Sequence, residues 1–441
     1  MALKTFKGGI HPNEGKELSK DKPIREYFSA SELVYPISQH IGAPAKPIVN
    51  VGDAVLRGQM IAEAGGFVSA PIYSSVSGTV KAIEDRRNAM GDMVKSIVIE
   101  NDGSDLESSF EGITLEEALK LDKSIILDKI QRAGIVGMGG AGFPTHVKLS
   151  PKNPNEIKYI IANCAECEPY LTSDYRTMLE NTEKLIGGMK IILSLFDNAR
   201  GVFAVEDNKR DCAIKLHEAI DFDRISVELL MTKYPQGGER QLIHAVTGFD
   251  INSKMLPADA GCIVDNVATI CAIYDAVVLG KPLMDRVFTV SGDNCVDPSN
   301  YLIHIGTSMK EILEQAGGEN RDTAKYISGG PMMGFAMFDI DVPTTKTTSA
   351  LLTFSKDEAS KFEASPCINC GRCVEACPEQ LVPSRLSKYF EHKVSDEFVK
   401  WYGLECIECG SCTYVCPAKR PLAQEIKTYK RQILAEMKKQ K

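Results

Sequence analysis

Cys367-Ile-Asn-Cys370-Gly-Arg-Cys373-Val-Glu-Ala-Cys377-Pro378 and, 39 residues on, Cys406-Ile-Glu-Cys409-Gly-Ser-Cys412-Thr-Tyr-Val-Cys416-Pro417 follow one pattern, C-x2-C-x2-C-x3-C-P. This is the spacing that holds cubane iron–sulfur clusters. Three closely spaced thiolates on one tight loop converge on three corners of a cube. The fourth cysteine, beside the proline, points away toward a second cube. One 4Fe-4S cluster is therefore assigned to Cys367, Cys370, Cys373 and Cys416, and the other to Cys406, Cys409, Cys412 and Cys377. A pair of zinc sites is the competing reading, but zinc motifs usually join two C-x2-C units across a longer gap without the third cysteine and the proline.

Two such clusters in one α-helical module of the two-cluster ferredoxin kind make a wire for single electrons. A wire needs a donor and an acceptor, and nothing between residues 351 and 441 handles a two-electron substrate. The donor site is expected upstream. Of the 14 cysteines, six lie scattered between Cys164 and Cys295, which speaks against a disulfide scaffold and for a reducing compartment. Cys164 and Cys167 form a further C-x2-C, with loop packing or a redox pair as its two readings.

The chain has 441 residues, enough for roughly three domains at about 150 residues each. Its 44% hydrophobic and 25% charged residues are ordinary globular composition. A net charge of -8 speaks against nucleic acid as a partner. No run approaches the ~18 apolar residues of a spanning helix, and the opening MALKTFKGGIHP lacks a signal-peptide core. The expectation is a soluble chain without a transmembrane segment.

Residues 125–149, IILDKIQRAGIVGMGGAGFPTHVKL, contain Gly134, Gly137, Gly139, Gly140 and Gly142. Such a backbone approaches a ligand closely, and its N–H groups can cradle phosphate or the polar edge of a ring. Lys148 is placed to neutralise a phosphate. Gly137, Gly139 and Gly142 satisfy G-x-G-x-x-G, but residues 125–133 read as a helix where a dinucleotide-binding turn needs a strand. Further on, the buried-strand run Lys158–Ala162 ends in Asn163-Cys164-Ala165-Glu166-Cys167-Glu168-Pro169, with two carboxylates placed for a ligand rather than for a core. Tyr234-Pro-Gln-Gly237-Gly238-Glu239-Arg240 and Asp265-Asn266-Val-Ala-Thr269 follow.

GMGGAGFPTHVKL, NCAECEPYLTSDYR, YPQGGERQLIHAVTG and VDNVATI, in that order, resemble the flavin- and NADH-binding subunit of respiratory complex I and its relatives. With the N-terminal FKGGIHP and the C-terminal cysteine runs, the chain resembles most the RnfC family. Its members belong to Rnf complexes, membrane assemblies that couple electron transfer between ferredoxin and NAD to ion pumping. The resemblance implies non-covalent FMN lined by Gly137, Gly139, Gly140 and Gly142. Lys148 would lie near its phosphate, with Asn163, Glu166, Glu168 and Asn266 around it and Gly237 and Asp265 in the same cofactor-binding set. NADH would stack on the flavin, with Phe143 against adenine, Glu168 near the nicotinamide and Glu239 near a ribose. Met138, Ala165 and Gly238 depart from the family's pattern. Integral-membrane and ferredoxin-like subunits are the implied partners, with ferredoxin reached through them, at the cytoplasmic face of the membrane.

The chemistry of the residues agrees. NADH gives two electrons at once and a cubane accepts one, so a flavin is the cofactor that joins them. Hydride transfer needs no protein acid or base, so no catalytic residue is nominated, only positioning by Glu168.

The implied fold is multidomain α/β. Residues 1–110 read as an N-terminal segment with a barrel-sandwich hybrid module similar to biotinyl and lipoyl domains, without the carrier lysine at Ala64-Gly65-Gly66-Phe67. Residues 111–283 are a complex-I-type flavin/NADH-binding α/β domain, 284–350 a β-grasp (SLBB-like) domain, and 351–441 the double-cluster domain with a terminal helix. Two other functions fit parts of the pattern: a soluble FMN/iron–sulfur corrinoid (cobalamin) reductase, and a non-catalytic electron relay.

Overall fold

The computed structural model describes residues 3–439. Its centre is a parallel four-stranded sheet in the order Ile225–Leu230, Arg200–Glu206, Tyr159–Cys164, Cys262–Asn266. The apolar runs YIIANC, RGVFAVE and CIVDN are buried on both faces, as parallel strands require. Ile160, Ala162 and Cys164 point into a core shared with the helices Thr182–Ser194 and Val267–Val278. Ile161, Val202, Ala204 and Val264 point the other way, against Leu242 and Ile243 of the helix Glu239–Thr247. Three strands run outward in chain order from Tyr159–Cys164, and the fourth joins on its other side. The strand order therefore reverses between Tyr159–Cys164 and Cys262–Asn266, and ligands of open α/β sheets bind at such a reversal, beyond the carboxyl ends of the strands. The glycine-rich loop follows the helix Lys123–Arg132, as its sequence predicts.

The other modules are built around this sheet. Antiparallel strands Glu32–Pro36, Met93–Asn101, Gly78–Arg87 and Ala54–Val55 face a three-stranded sheet across a core containing Leu33, Tyr35, Ile61, Val80 and Ile97. A six-stranded mixed sheet carries the helix Met309–Gln315 on a core of Phe288, Val290, Tyr301, Ile303 and Ile312. Its edge strand, Arg25–Tyr27, comes from the N-terminal segment, and Ala350–Phe354 lies inside it. The C-terminal helices close on Leu386, Phe398, Ile426, Tyr429 and Ile433. Among the described residues, no helix is long and apolar enough to cross a membrane.

The first residues thread between modules. Lys4 bridges to Leu230 at the edge of the parallel sheet, Gly9 N–H donates to the Ala376 carbonyl, and Ile10 exchanges backbone hydrogen bonds with Tyr234. FKGGIHP thus stitches the central sheet to the cysteine-rich module.

Candidate flavin crevice and cluster sites

Asn163 and Asn266 are cross-strand partners at the carboxyl ends of the two strands that flank the reversal. Asn163 Nδ2 donates to the Gly237 carbonyl at 2.9 Å, tying the 234–239 loop to the strand end. Asn266 Oδ1 caps its helix by accepting from Ala268 N–H at 2.8 Å, and Nδ2 donates to Asp174 at 2.7 Å. Over it passes the glycine loop: a Cβ on Gly139 would stand 2.8 Å from Asn266 atoms, whereas one on Gly140 would meet nothing. Glycine is needed at the first position, and at the second the backbone is open to a ligand.

Lys148 reaches the same place, donating to the Val264 carbonyl at 2.8 Å and to Asp265 at 3.1 Å. Burial alone would lower its pKa, but Asp265 and Glu239 outweigh it and the ammonium is held. Glu239 itself is pushed up, by burial first, with Lys148 opposing. Asp265 Oδ2 and both amide atoms of Gln236 are buried without a hydrogen-bond partner. Buried polar atoms of this kind call for a polar ligand. Phe143 stands half-buried beyond the loop.

The two carboxylates of the 163–169 turn are held by the protein's own N–H groups. Glu166 accepts from Asp174 and Tyr175 N–H at 2.7 and 3.2 Å, at the start of the helix Ser173–Glu180. Glu168 accepts from Met332 and Met333 N–H at 3.1 and 2.8 Å, so it clamps a loop of the six-stranded module. A Cβ on Gly330 would fall 2.1 Å from Glu168 Oε2, so this contact admits only glycine there.

Four buried cations without a recognisable motif hold the same loops by their carbonyls. Lys16 donates to Glu166, Glu168 and Leu171 carbonyls, and Lys209 to that of Ala165. Arg286 donates to the Met138 carbonyl, and Lys346 to those of Gly134 and Pro71. Burial lowers Lys346 to about 7 and Arg286 to about 10, the latter with Asp174 opposing. The side chain of Met138 packs in the core. Cys167 Sγ accepts from Gly237 N–H at 3.2 Å, and burial raises its pKa, which suits loop packing rather than a reactive thiol.

The cysteine runs enclose two voids. One, of about 370 Å³, is lined by Cys377 of the first run with Cys406, Cys409 and Cys412 of the second. The other, of about 380 Å³, is lined by Cys367, Cys370 and Cys373 with Cys416. Each void takes three thiols from one run and the proline-flanked cysteine of the other. Among the described residues, no group of three or more His, Cys, Asp or Glu side chains is arranged to hold a metal ion. The thiols stand around a space suited to a polynuclear cluster. Tyr234 OH donates to the Cys409 carbonyl at 2.7 Å, and Arg240 pairs with Glu379 and Glu405 at 2.8 and 3.1 Å. These contacts fasten the first void to the 234–240 loop of the crevice. Around the second void Cys370 is exposed and Cys367 half-buried.

Family models match in chain order: an RnfC barrel sandwich hybrid domain over residues 4–104, a Nuo51 FMN-binding domain over 130–275, an SLBB domain over 287–336 and a 4Fe-4S dicluster domain over 366–420. The expected fold classes and their order therefore stand, and FMN and iron–sulfur clusters are the cofactors of these domains. The RnfC protein of the Na(+)-translocating ferredoxin:NAD(+) oxidoreductase complex of Acetobacterium woodii is 44% identical, over 99% of this chain and 98% of that one. Its counterpart in the proton-translocating complex of Clostridium ljungdahlii is 45% identical, over 87% of this chain and 84% of that one. The counterpart in the ion-translocating oxidoreductase complex of Pseudomonas aeruginosa is 40% identical over 87% of this chain but only 50% of its own length. The chain belongs to the RnfC family of ion-translocating ferredoxin:NAD(+) oxidoreductase complexes.

Proposed function

We propose that the chain is the subunit through which such a complex exchanges electrons with NADH, taking them in pairs at the crevice between Asn163 and Asn266 and passing them singly to partner subunits that move ions. The observation that carries this reading is the Tyr234–Cys409 contact, which sets a cysteine-lined void directly against the loop that closes the crevice. Relatives named ferredoxin:NAD(+) oxidoreductase supply the two ends of the reaction. Bound FMN supplies the conversion between hydride pairs and single electrons.

The residues then have separate tasks. Lys148 keeps its charge in a buried place and offers it to a phosphate. Gly137, Gly139, Gly140 and Gly142 let the backbone come close, with Asn163, Asn266, Asp265, Gly237 and Glu239 as polar walls and Phe143 at the rim. Glu166 and Glu168 act by holding the helix and loop that bound the crevice, so Glu168 positions through the 330–333 loop. Cys377, Cys406, Cys409 and Cys412 hold the cluster nearer the crevice; Cys367, Cys370, Cys373 and Cys416 hold the outer one, whose exposed edge faces a partner. We place domain divisions near residues 110 and 283, and the last after Phe354, where the strand Ala350–Phe354 ends. The chain sits peripherally on the cytoplasmic face of the membrane.

Purification under anaerobic conditions tests this. The expected result is about eight irons, as two cubanes require, and one FMN per chain, with integral-membrane subunits retained. A soluble chain that carries the same cofactors and associates with a corrinoid protein instead would overturn the assignment to a membrane complex.

A further inference from the structure

We propose that the groove between the helices Pro383–Glu391 and Ser395–Lys400 is the docking site for an acidic segment of a partner protein. The proposal rests on the reading that this chain exchanges electrons with partners, and it names where and by what chemistry one of them is held.

The groove encloses about 910 Å³ on the outer side of the cysteine-rich module. Arg385, Lys388, His392 and Lys400 line it, against a single carboxylate, Glu397, which already accepts from Lys400 at 3.1 Å. A local excess of positive charge on a chain of net charge -8 is a feature that selects anions. The floor is aromatic: Trp401 carries the Arg385 guanidinium over its ring at 4.0 Å, and Tyr389 and Tyr402 flank it. Tryptophan, tyrosine and arginine are the residues that dominate binding energy at protein interfaces. Tyr402 is 69% exposed and has φ of 59°, a left-handed conformation that costs a bulky residue about 1–3 kcal/mol. Its ring is left open to a partner side chain, whose packing would offset that cost.

Position adds a reason. The helix that forms one wall starts with Pro383, which lines the void of Cys377, Cys406, Cys409 and Cys412, and Ser384, which lines that of Cys367, Cys370, Cys373 and Cys416. Arg385 follows directly and opens the groove. Whatever seats there is held by the same helix turn that touches both cluster sites. A mixed basic and aromatic surface fits an acidic peptide segment carrying an apolar or aromatic residue better than it fits a bare inorganic anion, which would leave the ring faces uncovered.

The purified complex provides the test. Carbodiimide joins lysine amines to carboxylates in direct contact, so mass spectrometry should find Lys388 or Lys400 linked to Asp or Glu of another subunit or of an added electron carrier. Both lysines should also be protected from an amine-acetylating reagent in the complex, relative to the free chain, by about tenfold. Trp401 is the chain's only tryptophan, so its emission reports the groove directly. It should shift when the linked partner is added to the free chain, and the Lys388→Glu, Lys400→Glu double variant should weaken that titration on the order of tenfold. An assembled complex in which both lysines remain as reactive as in the free chain overturns this proposal alone. A Trp401 shift with phosphatidylglycerol vesicles and none with protein partners also overturns it, in favour of a lipid surface. A chain that purifies with no partner at all overturns the functional reading and this proposal with it.

Discussion

The Tyr234 hydroxyl donates to the main-chain carbonyl of Cys409 across 2.7 Å, and both residues are buried. A loop of the flavin-binding domain thus ends on a residue of the cluster-binding run. Tyr234→Phe removes the donor and leaves the buried carbonyl unpaired, at a cost of about 1–3 kcal/mol. The expected outcome is a lower unfolding midpoint for the cysteine-rich module, read by loss of cluster absorbance during a denaturant titration, with iron content unchanged under native conditions.

The shared voids make a prediction about pairs of cysteines. Cys377 and Cys406 line one void, whereas Cys377 and Cys373 line different ones. Cys377→Ala with Cys406→Ala should therefore retain about four irons, and Cys377→Ala with Cys373→Ala should retain almost none. Iron analysis after anaerobic reconstitution distinguishes them. The reverse outcome would mean that each run binds its own cluster.

Lys148 lies against Asp265, with Glu239 adding to the field that keeps it protonated. Lys148→Met keeps the length of the side chain and removes the charge. Loss of a charge-assisted hydrogen bond of about 1.5–3 kcal/mol should loosen FMN by about ten- to a hundredfold. Recovery of free-flavin fluorescence on dilution measures it, and an unchanged dissociation constant would remove Lys148 from the phosphate site.

Asp174 gives a pH dependence. Burial, with Glu166 adding to it, raises its pKa from 3.8 to about 7, while its hydrogen bond from Asn266 and the charges of Arg286 and Lys16 oppose. The folded chain therefore holds a proton that the unfolded chain has already released between about pH 4 and about pH 7. The stability from this group is complete below about pH 4 and disappears as the pH rises to about 7. Its slope is up to about 1.4 kcal/mol per pH unit. Asp174→Asn can still accept from Asn266 and carries no proton to lose. Its stability relative to the parent should rise through this window and level off above it, as thermal unfolding at a series of pH values would record.

Much of this architecture is legible in the sequence because its signals are local. The cysteine spacing alone predicts which thiols share a void, and the run of apolar residues from Tyr159 predicts a central strand. The glycine loop is recognisable because Gly139 sits where only glycine clears Asn266. What escapes a linear reading depends on distant partners. Glu166 and Glu168 look like free ligand-binding carboxylates, yet Glu168 is met by backbone 164 residues away. Lys16, Lys209, Arg286 and Lys346 carry no motif; each becomes meaningful only when folding brings it under a loop carbonyl. FKGGIHP likewise gives no hint that it runs between two modules, because a short segment that pairs with loops has no periodicity of its own.

The central claim is that NADH reduces a flavin held by this chain. Anaerobic titration of the purified, FMN-loaded chain with NADH, followed at the flavin absorbance band, tests it most directly. The account predicts bleaching that is complete near one NADH per flavin and is weakened in Lys148→Met by loss of flavin. A chain that retains FMN and shows no bleaching at any NADH concentration would contradict it.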